Sequence, residues 1–518
     1  MVIKRRHWAP AVAASALALL LTATGCHSTS GAGAAEPTAA PSTATTTATS
    51  AARAVARVCA NPAAGPAKAP AGAVTVDPAV VGDLAAKTKN SPPHTTFWLR
   101  PGRHRLDPDR YAQVIPKTGD RYLGAPGAVL DGGKKNQYAF AGTARDVTIR
   151  FLTVQHFVAP QNEGVVNHDS ADGWVIEHAT IQDNSGAGLM AGAHQQVRAS
   201  CLRDNGQYGM NAYKGGGGIR DLVVEDNEIV GNNTDDWERR QQGCGCTGGI
   251  KFWAVDGADV RGNWVHGNHG AGLWADTDNN DFLIEDNVLD ANDGPALIYE
   301  TSYNAVIRNN TIRRNNWVEG RRYADRGDTF PYAALYLSES GGEPRIRART
   351  AKIDIYRNVL ENNWSGITLW ENADRFCNSP ANTSSGDCTL LVKNIHRCAQ
   401  PAIDKAPLYA DCRWKTQRVD IHGNRFVLDK SVVQCTEMCD RMAVLSNYGT
   451  YPDWSPYKGE KVAEAITLEQ DNRWHDNVYL GPWQFVAHDP SRVLDFDEWQ
   501  GTDYRQDAGS TLHAGAGG

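Results

Sequence analysis

The sequence predicts an all-β fold, a parallel β-helix (solenoid) with long loop insertions, and three observations predict it. One unit recurs from Asp172 onward: a short strand, a polar residue or Asn, four residues, Asn, a Gly-containing turn and a second short strand. The period is fixed, since Asn287 follows Asn263 by 24 residues and Asn310 follows Asn287 by 23. The strands are short, β-branched and alternating, joined by Asn, Asp and Gly, which is a period of two and not of 3.6. A fixed period of this length builds a solenoid, in which each winding pairs its backbone with the windings above and below.

Each element then has a physical reason. Asn227, Asn263, Asn287, Asn310 and Asn358 fall at one bend of successive coils, where stacked side-chain amides bond to one another in a ladder along the axis. After each Gly turn, Leu189, Met210, Ile250, Leu273, Leu297, Leu335 and Ile367 take the inward positions. Residues one and three further on then face outward. The first outward column is Met190, Asn211, Lys251, Trp274, Ile298, Tyr336 and Thr368; the second is Gly192, Tyr213, Trp253, Asp276, Glu300, Ser338 and Trp370. His168 starts the second column one coil earlier, and Lys214, Glu339 and Glu371 lie just beyond it.

The ends set location. Lys4, Arg5 and Arg6 precede an apolar run from Ala11 to Leu21 and then Ala-Thr-Gly-Cys26, the order of a signal peptide. The run is about half of the roughly 20 residues needed to span a bilayer. The segment before Cys26 resembles the bacterial lipoprotein box, which implies lipidation at Cys26 and a protein anchored to the outer face of the cell membrane, or else secreted. The expected organisation is a signal peptide over 1–25, a low-complexity tether over 26–72, the β-helix with its caps over 73–510 and a disordered tail over 511–518.

Eleven cysteines less Cys26 leave an even ten, which in an exported chain favours disulfides over metal sites. The expected local pairs are Cys244/Cys246, Cys377/Cys388, Cys398/Cys412 and Cys435/Cys439, which would leave Cys59 with Cys201, although spacing alone leaves the connectivity open. Without residues 1–25 the chain holds 49 basic and 59 acidic residues, and no basic stripe of the kind nucleic acid requires. The expected partner is an oligo- or polysaccharide met by a monomer.

The outward columns are rich in Trp, Tyr and carboxylates, and a contiguous aromatic stripe calls for a ligand. Sugar rings stack on flat aromatic faces while carboxylates meet hydroxyls or the glycosidic oxygen. Candidate binding residues are therefore His168, Asn211, Tyr213, Lys214, Lys251, Trp253, Trp274, Tyr336, Glu339, Trp370 and Glu371. Insertions at 233–248 and 316–333 precede the outward strand, and others at 340–350 and 372–417 follow it. They wall a cleft whose floor is the pair of coils bearing Asp276 and Glu300.

Matching slots of adjacent coils lie about 4.8 Å apart, so the two carboxyl groups are expected roughly 5 to 6 Å apart, close to the roughly 5 to 5.5 Å of retaining glycosidases and short of the 6.5 to 9.5 Å of inverting ones. Asp276 and Glu300 are the candidate catalytic pair. The reaction needs no cofactor. "DTDNND" (Asp276 to Asp281) leaves Asp278 and Asp281 as weak calcium candidates, although an EF-hand would require Gly and Glu where Asp281 and Asn287 stand.

Two resemblances bear on this reading. "FWLRPGRHRL" (Phe97 to Leu106) and "FDEWQGTDYRQDAGS" (Phe496 to Ser510) resemble the opening strand and closing segment of the secreted right-handed parallel β-helix proteins, the pectate-lyase-like superfamily, over roughly Ala73 to Ser510. "GLWAD" (Gly272 to Asp276), Glu300 and "VIRNN" (Val306 to Asn310) resemble the β-helix β-xylosidases of glycoside hydrolase family 120, which implies Asp276 as nucleophile and Glu300 as acid/base. The alternatives are a polysaccharide lyase or uronan epimerase, with Lys251, Lys214, Tyr213 or His168 as base, and a non-catalytic carbohydrate-binding lipoprotein.

Overall fold

A computed structural model describes residues 57–241, 248–382, 388–446, 455, 457, 465–488 and 490–515. The expected signal peptide, the expected lipidation site Cys26 and the expected Cys244/Cys246 pair lie outside the described residues. Three sheets run the length of the molecule, two of thirteen strands and one of eleven. Among the described residues every neighbouring pair of strands in these sheets is parallel except one at the C-terminal edge, where Val493–Leu494 turns back along Gln484–His488. The chain visits the first, second and third sheet in turn and then steps one rung along the axis, as the sheet orders require. This is the parallel β-helix that the repeat predicts.

The corners explain the Asn, Asp and Gly of the repeat. The residue before each ladder asparagine has a left-handed backbone: Asp226, Gly262, Asp286, Asn309, Arg357, Gly423 and Asp476 have φ between 53° and 66°. Gly, Asn and Asp adopt that region most readily. The next residue turns inward, and Asn227, Asn263, Asn287, Asn310, Asn358, Asn424 and Asn477 form one continuous chain of side-chain amides at 2.9 to 3.2 Å. It ends when Asn477 donates to Asp507 at 3.0 Å.

A second ladder, not foreseen from the sequence, runs through Asn184, Asn205, Asn232, Asn268, Asn292, Asn315 and Asn363 at the next corner. It accounts for the glycine at or beside the start of several third-sheet strands. A Cβ on Gly188, Gly249 or Gly272 would lie 2.9 to 3.2 Å from the amide nitrogen of Asn205, Asn268 or Asn292.

The inward positions of the third sheet are filled as expected. Leu189, Met210, Ile250, Leu273, Leu297, Leu335 and Ile367 are no more than 1 % exposed. The N-terminal end is covered by the helix Asp83–Asn90. The C-terminal end is covered by Phe496–Gln500, whose Asp495 and Glu498 form a capping box and whose Trp499 indole donates to Asp507 at 2.7 Å.

The expected boundaries are corrected at both ends. Part of the segment read as tether is packed: Cys59 is disulfide-bonded to Cys201, and Pro66 accepts a hydrogen bond from the Trp98 indole. Part of the segment read as tail is a strand, since Thr511–His513 pairs in parallel with Val478–Leu480. The first piece is held by side-chain contacts and a disulfide to distant windings and the second by backbone pairing with the last winding, neither of which composition reveals.

The Cys377/Cys388, Cys398/Cys412 and Cys435/Cys439 pairs also form. Disulfides at four sites place the folded chain in an oxidising compartment outside the cytoplasm. Among the described residues no helix is long and apolar enough to cross a membrane.

Candidate active site

Four third-sheet strands position the site: Gly248–Trp253, Leu273–Asp276, Leu297–Glu300 and Leu335–Ser338. Register sets Lys251 beside Trp274 and Trp253 beside Asp276. The next pair aligns Leu273 with Leu297 and Ala275 with Tyr299, and the same offset sets Asp276 beside Glu300. Glu300 in turn lies beside Ser338. Because Leu273 and Ala275 point into the core, alternation turns Trp274 and Asp276 outward.

Each acid is held by its own cation. Lys251 Nζ lies 2.9 Å from Asp276 Oδ2 and 4.3 Å from the centre of the Trp274 ring, a cation–π contact. Asp276 Oδ1 accepts from the Thr277 amide at 2.8 Å and from its hydroxyl at 3.0 Å. Burial alone would raise the Asp276 pKa, but the charge and hydrogen bond of Lys251, with Arg375 and the Thr277 amide, hold it below the usual carboxylate range. Burial acts on Lys251 in the opposite sense to its anionic neighbours, of which Asp276 is the strongest, and the neighbours prevail, so its pKa is raised.

Glu300 Oε1 accepts from Arg375 Nη1 at 2.6 Å, and its Oε2 accepts from the Trp274 indole at 3.1 Å. The same Nη1 lies 3.3 Å from Glu339 Oε2. Arg375 opens the insertion at 372–417 and is the site residue that sequence reading missed. Nothing in the repeat points to it, because it lies outside the repeat. The Cys377–Cys388 disulfide begins two residues on and ties this insertion to itself.

The remaining candidates separate into those near the acids and those elsewhere. Trp253 is half-buried and meets the exposed Tyr213 edge-on at 6.3 Å. On the other side of the acids, Tyr336 and Trp370 pack edge-on against Phe330, at 5.8 and 5.9 Å. Phe330 comes from the insertion at 316–333, so this wall is built partly of non-repeat residues. Aromatic surfaces thus flank the acid pair along the axis in both directions.

Five expected ligand contacts are corrected. Asn211 is buried and donates to the Asn162 carbonyl. Lys214 pairs with Asp172 at 3.0 Å. His168 stacks on Tyr138 at 3.7 Å, four rungs from Asp276, a displacement of about 19 Å at the spacing of parallel strands. Glu339 and Glu371 are fully buried; Glu371 meets Arg413 at 3.0 Å and the Thr416 amide at 2.8 Å. The two glutamates follow the outward strands into a corner, where the chain turns away from the open face.

The first outward column is likewise mostly covered, with Met190, Ile298 and Thr368 no more than 4 % exposed. The weak calcium candidates diverge: Asp278 accepts from the Trp414 indole at 3.0 Å, whereas Asp281 binds the Arg349 guanidinium at 2.9 Å. Two surface cavities, of about 360 and 450 Å³, lie at the corner that enters the third sheet, lined among others by His269 and Asp293 and by Asp183 and Asp204; neither includes Asp276 or Glu300.

The family described as right handed beta helix region matches residues 163–379, in agreement with the parallel β-helix that the three sheets build. No protein of curated function matches the sequence. Among solved structures, the chain is similar to the A-module of the Azotobacter vinelandii mannuronan C-5 epimerase AlgE6, at 12 % identity over 68 % of this chain and 77 % of that one, with a TM-score of 0.36. It is similar to the PL6 family alginate lyase AlyGC, at 11 % identity over 84 % and 56 %, TM-score 0.39. It is also similar to XylC in complex with xylose, at 13 % identity over 57 % and 52 %, TM-score 0.30.

Proposed function

We propose that this right-handed parallel β-helix protein is a carbohydrate-active enzyme, a retaining glycoside hydrolase with Asp276 as nucleophile and Glu300 as acid/base. The observation that carries the reading is the outward placement of the two acids on adjacent rungs, each oriented by a separate cation. Rung spacing of about 4.8 Å suits an attack and a protonation on one glycosidic bond without a water between the acids, whereas inversion needs room for that water.

The residues divide the work. Asp276 is kept ionised by Lys251 and oriented by Thr277, so a carboxylate oxygen is available to attack the anomeric carbon. Glu300, fixed by the Trp274 indole and Arg375, gives its proton to the departing oxygen. It then takes a proton from water as that water's oxygen displaces Asp276, so configuration is retained.

Lys251 and Arg375 are matched by acids, which favours a neutral sugar at the bond being broken. Elimination or epimerisation needs an unprotonated base. Lys251 is held in its charged form by Asp276, which weighs against it in that role.

The test is hydrolysis of a panel of aryl glycosides and neutral oligosaccharides by the purified chain. Asp276→Asn and Glu300→Gln should each lower kcat by roughly 10² to 10⁴-fold, the range for positioned acid–base groups, with far-ultraviolet circular dichroism unchanged. Product anomers read by NMR should retain the substrate configuration. Inverted product, or ultraviolet-absorbing unsaturated sugar, would reject the mechanism; glycan binding without turnover in the parent protein would reject catalysis.

A further inference from the structure

The candidate site contains one acid more than its cations can neutralise. Lys251 and Arg375 face Asp276, Glu300 and Glu339, and no side chain of the five is more than 18 % exposed. An uncompensated charge in such surroundings is costly, so the cluster favours taking up one proton. Asp276 is a poor host for it, since Lys251 and two groups of Thr277 all donate to its carboxylate. The proton is left to Glu300 and Glu339, which both bear on Nη1 of Arg375.

We propose that Glu300 and Glu339 hold one proton between them across Arg375, and that Glu339, too deeply buried to touch substrate, sets the pH range over which Glu300 serves as acid. The catalytic half of this statement rests on the hydrolase reading; the shared proton does not. Two carboxylates competing for one cation titrate as a unit. When Glu339 is ionised, Glu300 has only part of the guanidinium. When Glu339 is neutral or absent, Glu300 has all of it and gives up its proton more readily.

The surroundings of Glu339 fit this role. Ser338 donates its hydroxyl to Oε2, and the Asn372 amide donates to Oε1 at 3.2 Å. Glu300 lies on the preceding rung, and Glu371 takes the corresponding place on the following one, where Arg413 neutralises it at 3.0 Å. Tyr336, two residues before Ser338 on the same strand, also senses the Glu339 charge. Burial is the largest influence and pushes the Glu339 carboxyl up to about 7; Arg375 and Ser338 oppose it, and Glu300 adds to it. Glu339 is therefore a positioning residue that acts through Arg375.

Two substitutions reduce the competition for Arg375 to different degrees. Glu339→Gln removes the competing charge and should shift the basic limb of the kcat/KM profile down by about one pH unit, roughly a tenfold loss on that limb. Ser338→Ala removes a donor to the Glu339 carboxylate, so Glu339 stays neutral to higher pH, leaves Arg375 to Glu300 and should shift the limb down as well, by less than Glu339→Gln. Infrared spectroscopy reads the same proton without substrate: the protein should show a protonated-carboxyl band that titrates near neutral pH, and Glu339→Gln should move its midpoint down.

A uniform loss of activity with unmoved limbs in both variants would reduce Glu339 to packing and overturn the proposal. Lack of the titrating band in the parent protein would overturn it whatever the activity. If the band is present and shifts as stated but no glycoside is hydrolysed, the shared proton stands and the hydrolase reading falls. Should Glu339→Gln fail to fold, an unmoved limb and band in Ser338→Ala would still overturn the proposal.

Discussion

The first asparagine ladder and the outward column of the third sheet are built by the same windings and follow opposite rules. In the ladder every rung carries the same residue, and each amide donates to the next at 2.9 to 3.2 Å. In the outward column, Tyr213, Trp253, Asp276, Glu300, Ser338 and Trp370 all differ from their immediate neighbours. The ladder is uncharged and satisfied by its own repeats. The column is charged, and its charges are balanced across rungs by Lys251 and from outside the repeat by Arg375. Repetition supplies spacing; departures from repetition supply chemistry.

Three substitutions or conditions sharpen that contrast, in order of expected effect. Arg375→Ala removes the non-repeat anchor of Glu300 and should cost about 100-fold in kcat, the loss that follows from a small misplacement of a reacting group. Steady-state kinetics on a substrate of the parent protein measures this; unchanged kcat would mean that the column needs nothing from the insertion. The stacked windings should keep their circular dichroism.

Asn287→Ala should act the other way. It removes the acceptor of the Asn263 backbone N–H and of one Asn263 side-chain N–H, and takes the Asn287 donor from the Val260 carbonyl, all in a buried site, at about 1 to 3 kcal/mol. Denaturant unfolding should show that loss of stability, with kcat per folded molecule nearly unchanged. A large fall in kcat would show that ladder and column are not separable.

The smallest effect is a pH dependence of stability to which the charged column and its insertion contribute. Burial raises the pKa of Glu339 from 4.5 to about 7 and that of Asp374 from 3.8 to about 6. The folded state then binds protons that the unfolded state has released, so stability falls as pH rises through this interval. Asp276 has a lowered pKa and acts oppositely, with its contribution present above about 3.8 and lost below. Melting temperature should therefore decline between about pH 5 and pH 8, less steeply in Glu339→Gln. A flat profile in the parent protein would remove the buried-acid assignment.

Sequence reading reached different depths in the two regions for a physical reason. The inward leucines and isoleucines, the first ladder and the outward direction of Asp276 and Glu300 follow from periods of two and about 23, which are local and additive. The second ladder carried the same signal in the asparagines five residues on and in the small residues of "AGL" and "GGI", but its function lies in contacts between turns. Glu339 and Glu371 were misjudged because alternation ceases at the corner. His168, expected in the same column, stands four rungs, about 19 Å, from Asp276, a distance that membership of a column does not weigh.

By itself the chain determined the winding, the spacing of its rungs and the face on which two acids meet. Those follow from backbone geometry and from nearest neighbours in a repeat. Only the tertiary structure decided which cation serves which acid, that Arg375 reaches Glu300 from an insertion 75 residues away in sequence, and that Glu339 is enclosed. Charges pair according to distance in space and to the water that folding excludes, and neither quantity is written in the order of residues.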